Sequence, residues 1–247
     1  MVSNRSTTRK NKQKLALCIP CDAEDLTHVD TCFKSIQSQI KKPDILCISV
    51  SNSTPDVEKI FKEAKKKYNL PIHFIFTEKL LLPGANRNRA AEKAFTLGAT
   101  HITFFDFDDI MHPKRIESIS KAFRENPKMV GFLHGFRYGV KNTNKNATKL
   151  SSPLKHKVYF DTLSIIKTKN QEGIEINSFE VKKDFLNKNA NNAFIPSGHS
   201  SVTAKFWKEN PFDESLKTGE DSSFITQVLL QNLPLGLNPD PLTLYLR

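Results

Sequence analysis

Between Phe104 and Pro113 the chain reads FFDFDDIMHP, which puts three carboxylates within four residues at the end of an apolar run. Acids beside a buried strand are costly unless a cation meets them. Hard oxygen donors select Mg²⁺ or Mn²⁺, and such an ion is usually shared between one or two carboxylates and bound phosphates. Alternate side chains of an extended segment share a face. Asp106 and Asp108 are therefore expected to point together, with Phe107 turned into the core. A second reading needs no metal: Asp108 or Asp109 could cap a helix opening at Pro113. A cap uses one acid and leaves the others unexplained. His112 reads as a helix-entry residue rather than a ligand.

Two further segments carry chemistry. Thr218-Gly219-Glu220-Asp221 has the spacing of a capping box with Asp in place of Glu. That accounts for Asp221 and leaves Glu220 without a role; the alternative is a general base that takes a proton from an attacking hydroxyl. Pro83-Gly84-Ala85-Asn86-Arg87-Asn88-Arg89 lies between a strand and a helix. It could cradle phosphate through helix N-terminal amides and arginine, or serve as an ordinary turn and cap.

The elements that must position these groups alternate. Leu15–Pro20, Ile45–Val50, Pro71–Thr77 and Ile102–Phe105 are short apolar strands. Between them, helical spacing runs over Leu26–Ile40, Asp56–Tyr68 and Asn88–Leu97, and a further helix is expected at Pro113–Arg124. A β-α-β-α-β-α-β order with strands apolar on both faces predicts a parallel sheet covered by helices. Ligands of such sheets sit beyond the carboxyl ends of the strands, where the acidic cluster falls. Met129–Tyr138 reads as a longer strand, Lys141–Lys157 as an exposed loop, Lys157–Ile166 as strand-like and Ser178–Leu186 as helix-like. Ser197–Trp207 and the amphipathic Asp221–Leu230 restore order. The division predicted is a basic, disordered tail at 1–14 and one domain over 15–247, its halves meeting near residue 140.

Charge and composition narrow the classes. The 247 residues carry 37 Lys and Arg against 26 Asp and Glu, a net charge of +11. Arg5, Arg9, Lys10, Lys12 and Lys14 sit in the tail with no acid among them. The remaining excess suits a nucleotide diphosphate, and also nucleic acid or an acidic surface. No apolar run nears a membrane span and no leader is evident, so a cytoplasmic location is expected. Cys18, Cys21, Cys32 and Cys47 form no pair of CxxC motifs at zinc spacing and read as buried thiols.

Taken in order, the pieces resemble the family two glycosyltransferases of the GT-A fold, a Rossmann-like, mostly parallel sheet with helices on both faces and a variable C-terminal acceptor side. The family's opening Pro-Thr-Tyr-Asn-Arg-Glu and Ser-Ile-x-x-Gln are matched by Pro20-Cys21-Asp22-Ala23-Glu24 and Ser35-Ile36-Gln37-Ser38-Gln39. Its Ala-Arg-Asn is matched by Asn86-Arg87-Asn88, and its Leu-Asp-Ala-Asp-Asp by Phe105-Asp106-Phe107-Asp108-Asp109. Phe212-Asp213-Glu214 and Glu220-Asp221 match its Phe-Asp-Glu and Glu-Asp.

The resemblance implies a metal-dependent, inverting transfer from a nucleoside-diphosphate sugar, UDP-sugar favoured, to an acceptor hydroxyl. Asp106 and Asp108 would hold the ribose and a Mn²⁺ or Mg²⁺ ion. Pro20, Cys21, Asp22, Ser51 and Asn52 would line the nucleoside pocket, and Arg87 would approach the diphosphate or base. Gly198 and His199 would lie beneath the donor sugar, and Asp221, with Glu220 beside it, would be the base. Two departures stand out: Ser51, Asn52 and Ser53 replace the acids that commonly read the base, and the family's histidine after a Tyr-Arg-like strand has no counterpart at Tyr245-Leu246-Arg247. A nucleotidyltransferase, a binder of nucleic acid or anionic surfaces, and a catalytically silent family member are the rival readings.

Overall fold

The structure is a computed structural model that describes residues 12–140, 149–150, 163–169, 175–181, 200–231 and 233–246. Four strands, β1 (Leu15–Asp22), β2 (Ile45–Ser51), β3 (Ile72–Phe76) and β4 (His101–Phe104), pair in parallel in the order β3-β2-β1-β4. They are joined by α1 (Val29–Gln37), α2 (Pro55–Tyr68) and α3 (Pro83–Thr96). β2 is buried along its whole length. This double burial is why the strands are unbroken apolar runs rather than alternating ones.

The sheet continues with β5 (Ile110–Met111), α4 (Arg115–Glu125), β6 (Gly131–Val140) and a short β7 (Lys149–Leu150). β8 (Leu163–Lys169) and β9 (Glu175–Val181) form a separate antiparallel pair. Then come β10 (Ser200–Thr203), α5 (Ala204–Glu209), α6 (Glu220–Leu230) and β11 (Leu235–Leu246). Beyond β4 the order is β10-β6-β11-β5, with β10 antiparallel to both neighbours and β11 parallel to β6. One face is packed by Phe33, Phe61, Ile116, Ile119 and Phe123 from α1, α2 and α4. The other carries Ala90, Ala91, Ala94, Trp207, Phe224 and Val228 from α3, α5 and α6. This is the helix-covered, mostly parallel sheet expected. No helix among the described residues is long and apolar enough to cross a membrane.

Four of the departures from expectation have a clear local reason. The helix expected from Leu26 is a 3₁₀ turn over Ala23–His28 before α1 begins. Asp22 imposes that turn: its carboxylate accepts the Glu24 amide at 3.0 Å while Asp25 accepts the Asp22 amide at 2.9 Å. Helix α3 opens at Pro83 rather than Asn88, because a proline at the first helical position arrives with its φ already set. The helix expected at Ser178–Leu186 is strand where it is described, in β9; pairing with β8 decides it over a weak period. Gln13 and Lys14 belong to the fold rather than the tail. Gln13 Nε2 donates to Ser120 O at 3.1 Å, and the Lys14 amide donates to Thr100 Oγ1 at 2.9 Å.

All four cysteines are free and buried. Burial raises the thiol pKa of Cys18, Cys21 and Cys32 and pushes Cys47 up to about 12, which leaves them protonated and unreactive. His101, its ring 4.4 Å from that of Phe123, is shifted the other way: burial pulls it down to about 4. The unfolded chain takes up this proton near pH 6.5, before the folded one does, so stability is full above pH 6.5 and falls as the pH drops toward 4. Urea melts at pH 7.5, 6 and 4.5 should show this loss, about 1–3 kcal/mol after solvent screening. His101→Phe should abolish that part of the pH dependence.

Candidate active site

Strand β4 ends at Phe104, and the chain turns at Phe107 and Asp108 before β5. Burial alternates through the turn. Phe107 is buried and packs against Phe33 and Phe61, with ring centroids 6.2 and 5.6 Å away, while Asp106 and Asp108 keep partial exposure. Asp109 is fully buried, and its Oδ1 accepts the Leu246 amide at 3.0 Å, tying the turn to the end of β11. None of the three caps a helix. α4 opens two residues beyond Pro113, with Lys114 at its N-cap and no side-chain cap hydrogen bond. His112 is exposed and takes the Lys114 amide on Nδ1 at 3.2 Å, as a helix-entry residue would.

The early start of α3 puts Arg87 in its second turn, beneath the acidic loop. Arg87 Nη2 donates to Asp106 Oδ1 at 2.7 Å, and Nη1 donates to Glu220 at the start of α6. Side-chain exposure is 7% for Arg87, 8% for Glu220 and 20% for Asp106. The guanidinium also lies 5.7 Å from the centre of the Phe212 ring. Burial works against its charge, but Asp106, Glu220 and Asp221 outweigh that cost and raise its pKa above the ordinary value. A single cation thus gathers acids from two loops that are far apart in sequence.

Asn88 and Gly84 make that meeting possible. Asn88 Nδ2 donates to Phe212 O at 2.9 Å and to Glu214 at 3.0 Å; its Oδ1 accepts Trp207 Nε1 at 3.1 Å and the Phe212 amide at 3.0 Å. A Cβ on Gly84 would stand 2.7 Å from Asp213 O. The start of α3 is therefore packed closely on residues 212–214. Gly84→Ala should cost about 1–3 kcal/mol through this overlap, seen as a lower urea midpoint.

The profile of the family described as "Glycosyl transferase family 2" matches residues 17–186, about two thirds of the chain, from β1 past the acidic loop. The chain belongs to glycosyl transferase family 2. Solved structures share its fold. TarS of S. aureus (residues 1–349), in complex with UDP-GlcNAc, superposes with a TM-score of 0.64 at 14% identity, over 95% of this chain and 59% of that one. The same protein with UDP also gives 0.64 at 14%, over 95% and 61%. The mannosyltransferase PcManGT from Pyrobaculum calidifontis, in complex with GDP-Man and Mn²⁺, gives 0.60 at 11%, over 94% and 56%. The chain spans about three fifths of the length of these solved chains. No curated sequence matches it.

Within this family 2 chain, the residues expected to form a nucleoside pocket stand at the ends of β1 and β2, where Asp22 faces Ser51 in register. Ser51 Oγ donates to Asp22 Oδ2 at 3.1 Å, and Asn86 Nδ2 donates to Cys21 O at 2.8 Å. Cys21 and Ser51 are each 1% exposed, their side chains turned into the rim. Pro20 and Asp22 are partly exposed; Asn52 is exposed, held at φ 53° by the turn after β2. Gly198 and His199 lie outside the described residues. Among the described residues no three His, Cys, Asp or Glu side chains gather as a metal cage. A groove of about 560 Å³ runs between β5, the start of α4 and β11, lined by His112, Lys114, Asp240 and Leu242 among others. It includes none of the acids discussed above.

Asn86, Asn88 and Phe212 were not singled out by their chemistry. Their signal is the pattern Asn-Arg-Asn at the opening of a helix: two short amides flanking an arginine, later found buried, with a ring supplied from far along the chain.

Proposed function

We propose that this protein transfers a sugar from a nucleoside-diphosphate donor, UDP-linked in the first instance, to an acceptor hydroxyl, with inversion at the anomeric carbon and with a divalent ion. The observation that carries the reading is the Arg87 brace. It holds the acidic loop after β4 against the first turn of α6, which supports reading the two acidic motifs as parts of one site. Support for a nucleotide sugar comes from family membership together with fold relatives bound to UDP-GlcNAc and GDP-Man.

The acidic loop suits Mg²⁺ or Mn²⁺ in the way such ions bind diphosphates, with one or two carboxylates and the remaining positions filled by phosphate and water. The donors offered, Asp106 and Asp108, are oxygen only and partly exposed. The charge of Asp108 also reaches Asp25, whose pKa burial already raises, and a cation would relieve that crowding. When bound, the ion would neutralise charge on the departing diphosphate.

The chain's own groups do the rest. Asp22 and Asn52 face the nucleoside, and Arg87 fixes Asp106 rather than reaching into the cleft. Glu220 is buried and already paired with Arg87, so it positions, and the base falls to Asp221, one residue further on. Asp221 stands in the first turn of α6, at the helix's positive end. From the face opposite the leaving diphosphate it removes the acceptor's proton as positive charge builds on the sugar. Gly198 and His199 are proposed beneath the donor sugar.

A thermal-shift screen of UDP-, GDP-, TDP- and CMP-sugars with and without Mn²⁺ tests this. One donor class should stabilise the chain only when the ion is present, by about 2.7 kcal/mol at a concentration a hundred times Kd. Asp108→Ala should remove the ion-dependent part of that shift. Stabilisation by no donor would refute the proposal.

A further inference from the structure

Arg115, the first residue of α4, is fully buried, and its charge is not used in the mechanism above. Its Nη2 donates to Phe104 O at 2.7 Å and to Thr103 Oγ1 at 3.0 Å, both at the end of β4. Its Nε donates to His134 Nε2 on β6 at 3.0 Å. An arginine only donates, so His134 must accept at Nε2 and carry its proton on Nδ1, which then donates to Gly135 O at 2.9 Å. Thr103 Oγ1 also accepts from Ser201 Oγ on β10 at 2.8 Å. One guanidinium therefore links β4 and β6 across β10, the seam between the parallel half of the sheet and the rest.

A buried charge is a poor way to glue a helix to a sheet, since apolar side chains of the same volume do so at less cost. What the fork supplies is direction. It holds the last carbonyl of β4, two residues before Asp106, and its positive charge is felt by Asp106 and Asp109 from behind the loop. Burial pulls its pKa down to about 9, with those two acids opposing, so the charge persists at neutral pH.

We infer that Arg115, oriented by His134, is a positioning residue that aims the Asp106–Asp108 loop at the donor diphosphate and its ion. The inference rests on the donor reading of that loop given above. Outer partners of metal-binding groups typically set affinity by 10–100-fold, which fixes the scale expected.

The test is calorimetric titration of UDP and of GDP, each with Mn²⁺, alongside urea melts, on the full chain and four variants. Arg115→Lys keeps the charge and loses the fork; it should weaken nucleotide binding by about tenfold or more. His134→Phe should do the same, and His134→Gln, which restores an acceptor, should recover the affinity. Ile119→Val, on the same helix, should lose stability with affinity intact. If Arg115→Lys and His134→Phe bind as Ile119→Val does, the inference is wrong. Should Arg115→Lys fail to fold, the His134 pair decides alone. Absence of nucleotide binding by the unaltered chain overturns the donor reading and this inference with it, an outcome distinct from normal binding in every variant.

Discussion

Arg87→Met is expected to be the most damaging single change to the fold. It removes the cation that bridges Glu220 and Asp106, whose side chains are 8% and 20% exposed. Breaking a buried pair from one side costs about 3–5 kcal/mol, because the remaining charge loses its compensation. In a chain of this size that corresponds to roughly 10 °C in Tm. The double variant Arg87→Met with Glu220→Gln should recover part of the loss, since the more deeply buried acid becomes neutral. The recovery in a double-mutant cycle measures the coupling. A cycle in which the two changes simply add would show that the brace does not hold the two loops together.

Asp221→Asn carries the largest expected effect on activity. The substitution keeps the shape and removes the proposed proton acceptor, so kcat should fall by about 10²–10⁴. Nucleotide binding should be unchanged, because the proposed donor position lies at the other end of the brace. Glu220→Gln should differ in kind, lowering stability along with kcat, because its carboxylate holds Arg87. Equal effects of the two substitutions on stability would remove the distinction between base and positioning residue.

The order of elements could be read because its signals are local. Unbroken runs such as ILCISV need no knowledge of a partner to be recognised as doubly buried strands, and β2 is buried at every position. The alternation Asp106-Phe107-Asp108-Asp109 likewise carries its own geometry: Phe107 and Asp109 went inward and the other two stayed partly exposed. Boundaries were read less well where a single residue outvoted the period. Asp22 turned the expected first helical turn into 3₁₀ geometry, and Pro83 moved the start of α3 back to itself.

The site's internal wiring was not legible. Thr218–Asp221 looked like a cap, whereas α6 opens at Glu220 after a glycine at φ 78°. Nothing near Glu220 in sequence indicates that its partner is Arg87, 133 residues earlier. Nor does the run after Pro113 show that Arg115 would be buried against β4 and β6.

By itself, then, the sequence determined the parallel half of the sheet, the acidic loop at its carboxyl rim and the buried state of the thiols. Only the tertiary structure decided which acids pair, which stay partly exposed, and which arginines serve as struts. The reason is physical: apolar periodicity acts between neighbours, but the fate of a charge depends on what desolvates it and what opposite charge is packed within hydrogen-bonding distance. Those partners arrive only when α3 docks on the 212–221 segment and α4 closes over the end of β4 and against β6.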